Sequence, residues 1–278
     1  MRFLKLNGWT IPVAINSPDR IYEQVGGERG RAFDGTPVST RLRVALNVGF
    51  TTTHLTALEA RALAGILLGE GRYWPFDSDL WDVKGLPFES GTAELTLDGV
   101  YGAAAVVRSD LKTDTGIMEP WTILVWRGVE NVGGTGFLTP WFPAEFGPAS
   151  SINWAHYAIR SDGAKWRNGV RFDQADTSWI KLEDGELTLV AEQPGSGYNA
   201  FDDLVILPFL APEALVQGVY GLGRPYPRLP RIDVEGLATD GRVLVCEGEV
   251  TDNPYRVWGL NGEYHRDGQR ISGRIFEV

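Results

Sequence analysis

The chain has 278 residues, enough for one large domain or two modest ones. Its 36 acidic and 26 basic side chains give a formal charge of −10, which argues against a duplex nucleic-acid binder and against attachment to an anionic membrane through basic residues. Hydrophobic residues make up 43% of the chain, and 34 glycines and 16 prolines are scattered between short alternating runs, so the composition favours a turn-rich β protein with a real core.

The first 86 residues contain a strand, a helix and an aromatic strand in that order. Residues 38–50 alternate between apolar and other side chains, which predicts a long strand with one buried face. Thr56 and Glu59 have the spacing of a capping box, and the apolar stripe that follows ends before Gly69, a C-terminal glycine cap. Tyr73 and Trp74 then begin the short aromatic strand.

The middle of the chain changes to short strands separated by frequent turns. Residues 121–126 and 154–160 are aromatic or β-branched runs, and Asp184-Gly185 between two such runs is a strong hairpin signal. The strand at 201–207 leads to Pro212, which suits the first turn of a short helix. This pattern predicts an antiparallel sandwich.

A proline-rich joint at residues 224–230 precedes the C-terminal strands predicted at 242–250, 255–260 and 271–278. These strands are too few to form a comfortable core alone, so we expect them to complete the N-terminal unit. The predicted organisation is a discontinuous β domain formed by residues 1–86 and 225–278, with a second β domain, residues 87–224, inserted between its parts.

Residues with catalytic potential are scarce. Three histidines form no metal-binding pair, and the sequence contains no Gly-x-Ser-x-Gly elbow, phosphate-binding loop or dinucleotide fingerprint. The single cysteine, Cys246, excludes an intramolecular disulfide and lies in an apolar run typical of a buried thiol. Asp202 and Asp203 are adjacent, so in a regular strand they point to opposite faces and not together into a sugar cleft. We therefore expect no enzyme activity.

The middle segment resembles the laminin-G-like or concanavalin-like lectin sandwich, a jelly-roll fold. Three stretches match the family in order: 121–126 for its "ftisaW" strand, 154–158 for "W-x-H-x-A", and 201–215 for the "iDDlriynraLspeei" ending. The resemblance implies structural roles for four residues: Trp154, His156, Asp202 and Asp203. One carboxylate of the Asp pair would accept hydrogen bonds from turn amides and the other would face solvent, and calcium ligation is the alternative role. No other cofactor is implied.

The N-terminal segment resembles the module that begins phage tail proteins, in particular distal and other minor tail proteins. The matching stretches are 30–36 for the loop that ends "R-x-F-D-G", 39–41 on the strand, 55–60 for the start of the helix, and 71–86 for "G-x-x-W-x-F-D-x-D-l" and its close. The resemblance implies a homo-oligomeric ring, with a hexamer as one option, on the tail tube and beside other tail-tip proteins. It also implies a carbohydrate-binding sandwich displayed outside the ring.

The sequence thus predicts a structural virion protein, made in the host cytoplasm and located in the tail. The N-terminus lacks an apolar core of signal-peptide length, and no apolar run approaches the roughly 20 residues of a membrane span. Two alternatives stay open: a carbohydrate-binding adhesin and, with less support, a glycan hydrolase. The candidate residues for a host-surface glycan are two pairs predicted at loops, Trp141 with Phe142 and Tyr198 with Asn199.

Overall fold

A computed structural model describes residues 2–14, 19–25, 29–31, 37–39, 43–53, 55–74, 88–130, 152–193, 197–223, 225–227, 231–233, 243–250, 255–258 and 264–277. These residues form β strands and two helices, and the prediction of a mainly β protein is confirmed. Neither helix is long and apolar enough to cross a membrane. The chain divides into two compact units, unit 1 (Met1–Glu70 with Pro227–Val278) and unit 2 (Gly71–Tyr226).

The elements of the first 74 residues are β1 (Arg2–Leu6), β2 (Trp9–Val13), β3 (Asp19–Val25), β4 (Arg29–Arg31), β5 (Pro37–Ser39), β6 (Arg43–Thr51), α1 (Ala57–Leu67) and β7 (Arg72–Trp74). The middle of the chain contains β8 (Ser90–Gly99), β9 (Gly102–Asp114), β10 (Thr122–Glu130), β11 (Ala155–Arg160), β12 (Lys165–Arg167), β13 (Val170–Arg171), β14 (Ile180–Glu183), β15 (Glu186–Leu189), β16 (Glu192–Gln193), β17 (Gly197–Leu207) and α2 (Glu213–Tyr220). The C-terminal strands are β18 (Arg231–Asp233), β19 (Val243–Val250), β20 (Tyr255–Trp258), β21 (Tyr264–Arg270) and β22 (Ser272–Glu277).

Unit 1 contains a seven-stranded sheet in which three C-terminal strands lie between two pairs of N-terminal strands. Its order is β2-β1-β18-β19-β22-β6-β3, and the C-terminal strands pair antiparallel with N-terminal strands at both junctions. β1 and β2 are joined by Asn7-Gly8, both with positive φ, the residues that a tight hairpin turn requires. Leu6, Ile11 and Val48 are buried in this unit.

Helix α1 begins and ends at the residues that its sequence predicts. Thr56 is the N-cap of a complete capping box with Glu59, and Gly69 adopts the left-handed conformation just beyond the last turn. The amides of Gly69 and Glu70 donate to the carbonyls of Ile66 and Gly65, the pattern of a Schellman motif. The capping box and the glycine cap are therefore both confirmed.

Unit 2 is a curled antiparallel sheet of eleven strands. Its main path is β13-β12-β11-β10-β17-β9-β15-β14, while β16 and β7 pair with β17 and β8 pairs with β9. The inner face of the curl encloses a core that includes Trp179, Phe201 and Leu187. The Asp184-Gly185 hairpin joins β14 to β15 as predicted, with both turn residues at positive φ. β7, which the sequence analysis assigned to the N-terminal domain, pairs with β17 and belongs to unit 2.

Helix α2 lies over the opposite, outer face of the sheet. Thr122 of β10 accepts a hydrogen bond from the amide of Ala211 and donates to the carbonyl of Phe209, which fixes the segment that leads into the helix. At the other end Tyr220 contacts the rings of Trp126 and His156. Pro212 is the N-cap, one position before the first turn that the sequence predicted for it. The outer face is thus partly covered by the chain itself.

Candidate functional site

Of the residues that the sequence singled out, one lies on β11 (His156) and four lie on β17 (Tyr198, Asn199, Asp202 and Asp203), and β10 runs between these two strands. Val125 and Phe201 belong to the inner core, so Trp126 and Asp202, which pair across β10 and β17, face outward. His156 pairs with Trp126 from β11 and lies on the same outer face. Two clusters occupy this face: one around Trp126 and Asp202, and one around Arg108 and Tyr198.

The Asp202-Asp203 pair lies at a β-bulge. Leu124 pairs with Val205 and Trp126 with Asp202, so β17 has one more residue here than β10, and Asp203 adopts φ +46°. The two aspartates are therefore not related by the simple alternation of a regular strand.

Both carboxylates of the pair accept hydrogen bonds from backbone amides, so the expectation that one of them faces solvent is wrong. An oxygen of Asp202 accepts from the amide of Tyr101 (3.0 Å), and an oxygen of Asp203 accepts from the amide of Tyr226 (2.7 Å). Burial raises the pKa of Asp202 to about 6 and, together with the nearby charge of Asp202, raises the pKa of Asp203 to about 7. The pair thus fastens the turn between β8 and β9 and the segment after α2 to the sheet.

Three rings pack around Trp126. Its centroid lies 6.0 Å from Tyr101, 5.3 Å from His156 and 6.0 Å from Tyr220. His156 is almost fully buried, and burial lowers its pKa to about 4, so the imidazole is neutral at physiological pH. Burial, with Asp203 as a smaller cause, raises the pKa of Tyr101 to about 12. Neutral rings in close contact form a packed junction of sheet, hairpin tip and helix end.

Trp154 lies beside this junction, over a glycine. Its indole N–H donates to the carbonyl of Asp98 (2.8 Å), and a Cβ added to Gly128 would come within 3.2 Å of the indole and 2.1 Å of Ile152. Gly128 therefore leaves the space that Ile152 and Trp154 fill. Trp154 and Tyr198 pack at the margin of a small buried cluster formed by Val106, Ile152 and Ala200.

Three charged residues and one aromatic residue form a group that we call the Arg108 surface: Arg108, Glu94, Glu130 and Tyr198. The guanidinium donates to Glu94 (2.9 and 2.7 Å) and to Glu130 (2.6 Å), and its carbon lies 4.6 Å from the centroid of Tyr198. The Glu94 side chain is 65% exposed, and those of Arg108 and Glu130 are 27% exposed. An aromatic ring and three planar charged groups are thus accessible on one face.

The four predicted glycan residues have different surroundings. Tyr198 is half-buried on the Arg108 surface. Asn199 is fully buried: its side-chain oxygen accepts two hydrogen bonds from Arg127 (3.0 and 2.7 Å) and its amide donates to the carbonyl of Val190. Asn199 therefore presents no exposed group to a glycan. Trp141 and Phe142 lie outside the described residues.

Within the described ranges, no group of three or more His, Cys, Asp or Glu side chains could hold a metal ion. The Asp202-Asp203 pair, for which calcium was considered, belongs to no such group, and each of its carboxylates accepts a hydrogen bond from a backbone amide. Calcium stays an alternative without support from a ligand set.

Of the Arg108 surface only Tyr198 was predicted from the sequence, because its members come from four separate strands. These residues are adjacent only through the pairing of β8 with β9, of β9 with β17, and of β17 with β10. No local spacing signals such a group. Only the register in which these strands pair would have revealed the Arg108 surface.

No protein-family model matches the chain, and none of the curated protein sequences is significantly similar to it.

Proposed function

We propose that this chain is a structural protein of a phage tail, in which unit 1 assembles into a ring on the tail tube and unit 2 is displayed as a lectin-like passenger. The observation that carries the proposal is the sheet of unit 1, where β18, β19 and β22 lie between β1 and β6. Both ends of the chain share one sheet, and unit 2 is formed by the residues between them. This is the organisation that the resemblance to distal tail proteins implies.

The lectin-like sandwich is the finer interpretation of the curled sheet. It is supported by the way the family-like motifs meet: Trp126, His156 and Asp202 come from separate stretches of sequence and lie side by side on the outer face. The motif that ends the family pattern is a strand followed by a short helix, and here β17 is followed by α2, whose Tyr220 packs on the same residues.

We assign the glycan contact to the Arg108 surface. Sugar hydroxyls are bound by planar groups that donate and accept in pairs, and a sugar ring packs against aromatic carbon. Arg108, Glu94 and Glu130 supply the first kind of group, and Tyr198 supplies the second. With two carboxylates for one guanidinium the surface is net negative, which favours neutral or amino sugars over acidic polysaccharides.

The same geometry favours binding over hydrolysis. A glycosidase needs one carboxyl group that stays protonated until it donates to the leaving group. Glu94 and Glu130 both accept hydrogen bonds from the guanidinium of Arg108, so in this geometry each carboxyl group acts as an acceptor and neither is placed as a donor. We therefore propose a non-enzymatic contact.

The ring is tested on the purified full-length chain by mass photometry and negative-stain electron microscopy. We expect closed particles of one defined copy number, because a β-rich module with exposed strand edges is stabilised by closure into a symmetric assembly. Particles of a single chain at every concentration would contradict the ring.

The glycan contact is tested on glycan arrays and on host cell-wall polysaccharide. We expect the wild-type chain to bind without releasing products, and Arg108→Ala to lose most of that binding. Arg171→Ala is the matched control, because Arg171 also pairs with a carboxylate (Asp173) and lies over an aromatic ring (Trp166), but on strand β13. Equal loss in both variants, or no binding by the wild type, would contradict this assignment and leave the ring proposal to its own test.

A further inference from the structure

Strand β8 presents an open edge in the part of unit 2 that the structure describes. It pairs with β9 along its length, and none of the described strands pairs with its other side. Most of its residues are exposed, including two large apolar ones: Leu97 is 80% exposed and Leu95 is 38% exposed. A long edge strand with exposed leucines is a template for pairing with another strand.

The residues that usually prevent such pairing are missing from the middle of β8. It contains no lysine and no proline, the residues that most often protect an edge. Residues 93–96 pair regularly with residues 104–107, and the register with β9 shifts on either side of them, between Thr92 and Ala93 and between Thr96 and Gly99. Its central charge, Glu94, is paired with Arg108 on the outer face. The middle of the strand can therefore accept a partner.

The sequence of β8 is complementary to itself when two copies pair antiparallel about Leu95. In that register Leu95 lies opposite Leu95 of the other copy, Ala93 lies opposite Leu97, and the two acidic residues lie opposite threonines, Glu94 against Thr96 and Asp98 against Thr92. A register centred on Glu94 would place two glutamates face to face. A register centred on Thr96 would place Glu94 against Asp98. Like charges directly opposite are destabilising, so Leu95 is the favoured centre.

We propose that unit 2 associates with unit 2 of a second copy through antiparallel pairing of β8 about Leu95. The two-fold axis makes the contact isologous, so each copy offers the same surface and one apolar stripe of Ala93, Leu95 and Leu97 continues across both strands. A single strand edge buries little area, so the contact is weak between free chains and becomes effective where copies are held close together. The contact is independent of the glycan assignment.

The test uses disulfide trapping in the full-length chain under mild oxidation. Residues opposite each other on antiparallel strands have Cα atoms about 4.5–5.5 Å apart, within the range of a disulfide. We expect Leu95→Cys to shift from the 30.6 kDa monomer band to a reducible dimer band. Leu97→Cys is the matched control, because two residues at position 97 would be about 13 Å apart along the strands and cannot be joined.

An equimolar mixture of Ala93→Cys and Leu97→Cys chains provides a second measurement that does not alter Leu95. We expect dimers from the mixture and none from either variant alone, because positions 93 and 97 face each other in this register. Thermal unfolding of each variant shows that unit 2 is folded. No dimer from Leu95→Cys or from the mixture, or equal trapping at position 97 alone, would overturn the proposal.

Discussion

Asp203 combines an unusual backbone conformation with a buried charge. Its φ of +46° is one that Asn and Asp tolerate better than most residues, and its carboxylate is held against the amide of Tyr226. Its pKa in the folded chain, about 7, lies far above the ordinary aspartate value of 3.8. The folded state therefore binds more protons than the unfolded state between these values, and stability is lost as the pH rises from about 4 through 7.

We predict that Asp203→Asn stabilises the chain at pH 8. Asparagine keeps an oxygen that can accept from the amide of Tyr226, tolerates the left-handed conformation and removes the charge that burial disfavours. The expected gain is on the order of 1–3 kcal/mol in the free energy of unfolding at pH 8, shrinking towards pH 4. Urea unfolding of both chains at several pH values measures it. His156 has a lowered pKa, so its burial lowers the free energy of unfolding as the pH falls from 6.5 to 4, the opposite direction to Asp203. This contribution is the same in both chains and therefore cancels from the difference between them.

The control for this prediction is Asp173→Asn. The Asp173 carboxylate is exposed, and its pKa is lowered by the amide of Lys165 and by Arg171, so neutralising it removes favourable interactions. We expect no gain at pH 8 from this variant. A loss of stability in Asp203→Asn at pH 8 would show that the charge of Asp203 stabilises the fold.

Asn199 shows why the surroundings of a single residue could not be predicted from the sequence. It follows a Gly-Ser-Gly segment, which favoured an exposed loop, yet the structure has it in β17, fully buried. Its burial depends on Arg127, which is 72 positions away in the sequence and becomes a neighbour only through the pairing of β10 with β17. Tyr198, one position earlier, points to the other face of the same strand.

At the scale of elements, the features that could be predicted are those whose signals lie within a few residues. The capping box of α1 and the Asp184-Gly185 turn each depend on groups no more than four positions apart, and both are confirmed. The bulge at Asp203 depends on how β17 pairs with β10 and with β7, so neither the aspartate pair nor its flanking residues could reveal it.

The capping box of α1 gives a prediction at this scale. The Thr56 hydroxyl accepts from the amide of Glu59 (3.2 Å), and the Glu59 carboxylate accepts from the amide of Thr56 (2.8 Å). We expect Thr56→Ala to lower the free energy of unfolding by about 1 kcal/mol, because the first turn loses a partner for one of its amides. Thr56→Ser is the matched control and should stay near the wild type, since serine keeps the acceptor. Equal effects of the two variants, measured by urea unfolding, would contradict a capping role.

At the scale of the whole molecule, the division into two units follows from how strands pair. The composition and turn signals indicated a β-rich chain, and the shortage of core residues in the C-terminal tail suggested its return to the N-terminal unit. In the sheet of unit 1, β18, β19 and β22 lie between the N-terminal strands β1 and β6. The position at which the chain passes from unit 1 to unit 2 was harder to predict, because β7 closely follows the glycine cap of α1 and yet pairs with β17 of unit 2. Only the partner of a short strand decides the unit to which it belongs.

If the sheet of unit 1 is self-sufficient, removing unit 2 leaves all of its strand pairs intact. We predict that a chain lacking Gly71–Tyr226, with Glu70 joined to Pro227 by a short Gly/Ser linker, unfolds cooperatively and keeps the oligomeric state of the full-length chain. The pairs β1–β18, β19–β22 and β22–β6 all lie within the retained residues. The full-length chain with the same linker inserted after Glu70 is the matched control, since it tests the linker without removing unit 2. Aggregation or a non-cooperative transition in the shortened chain alone, by calorimetry, would mean that unit 1 requires unit 2 in order to fold.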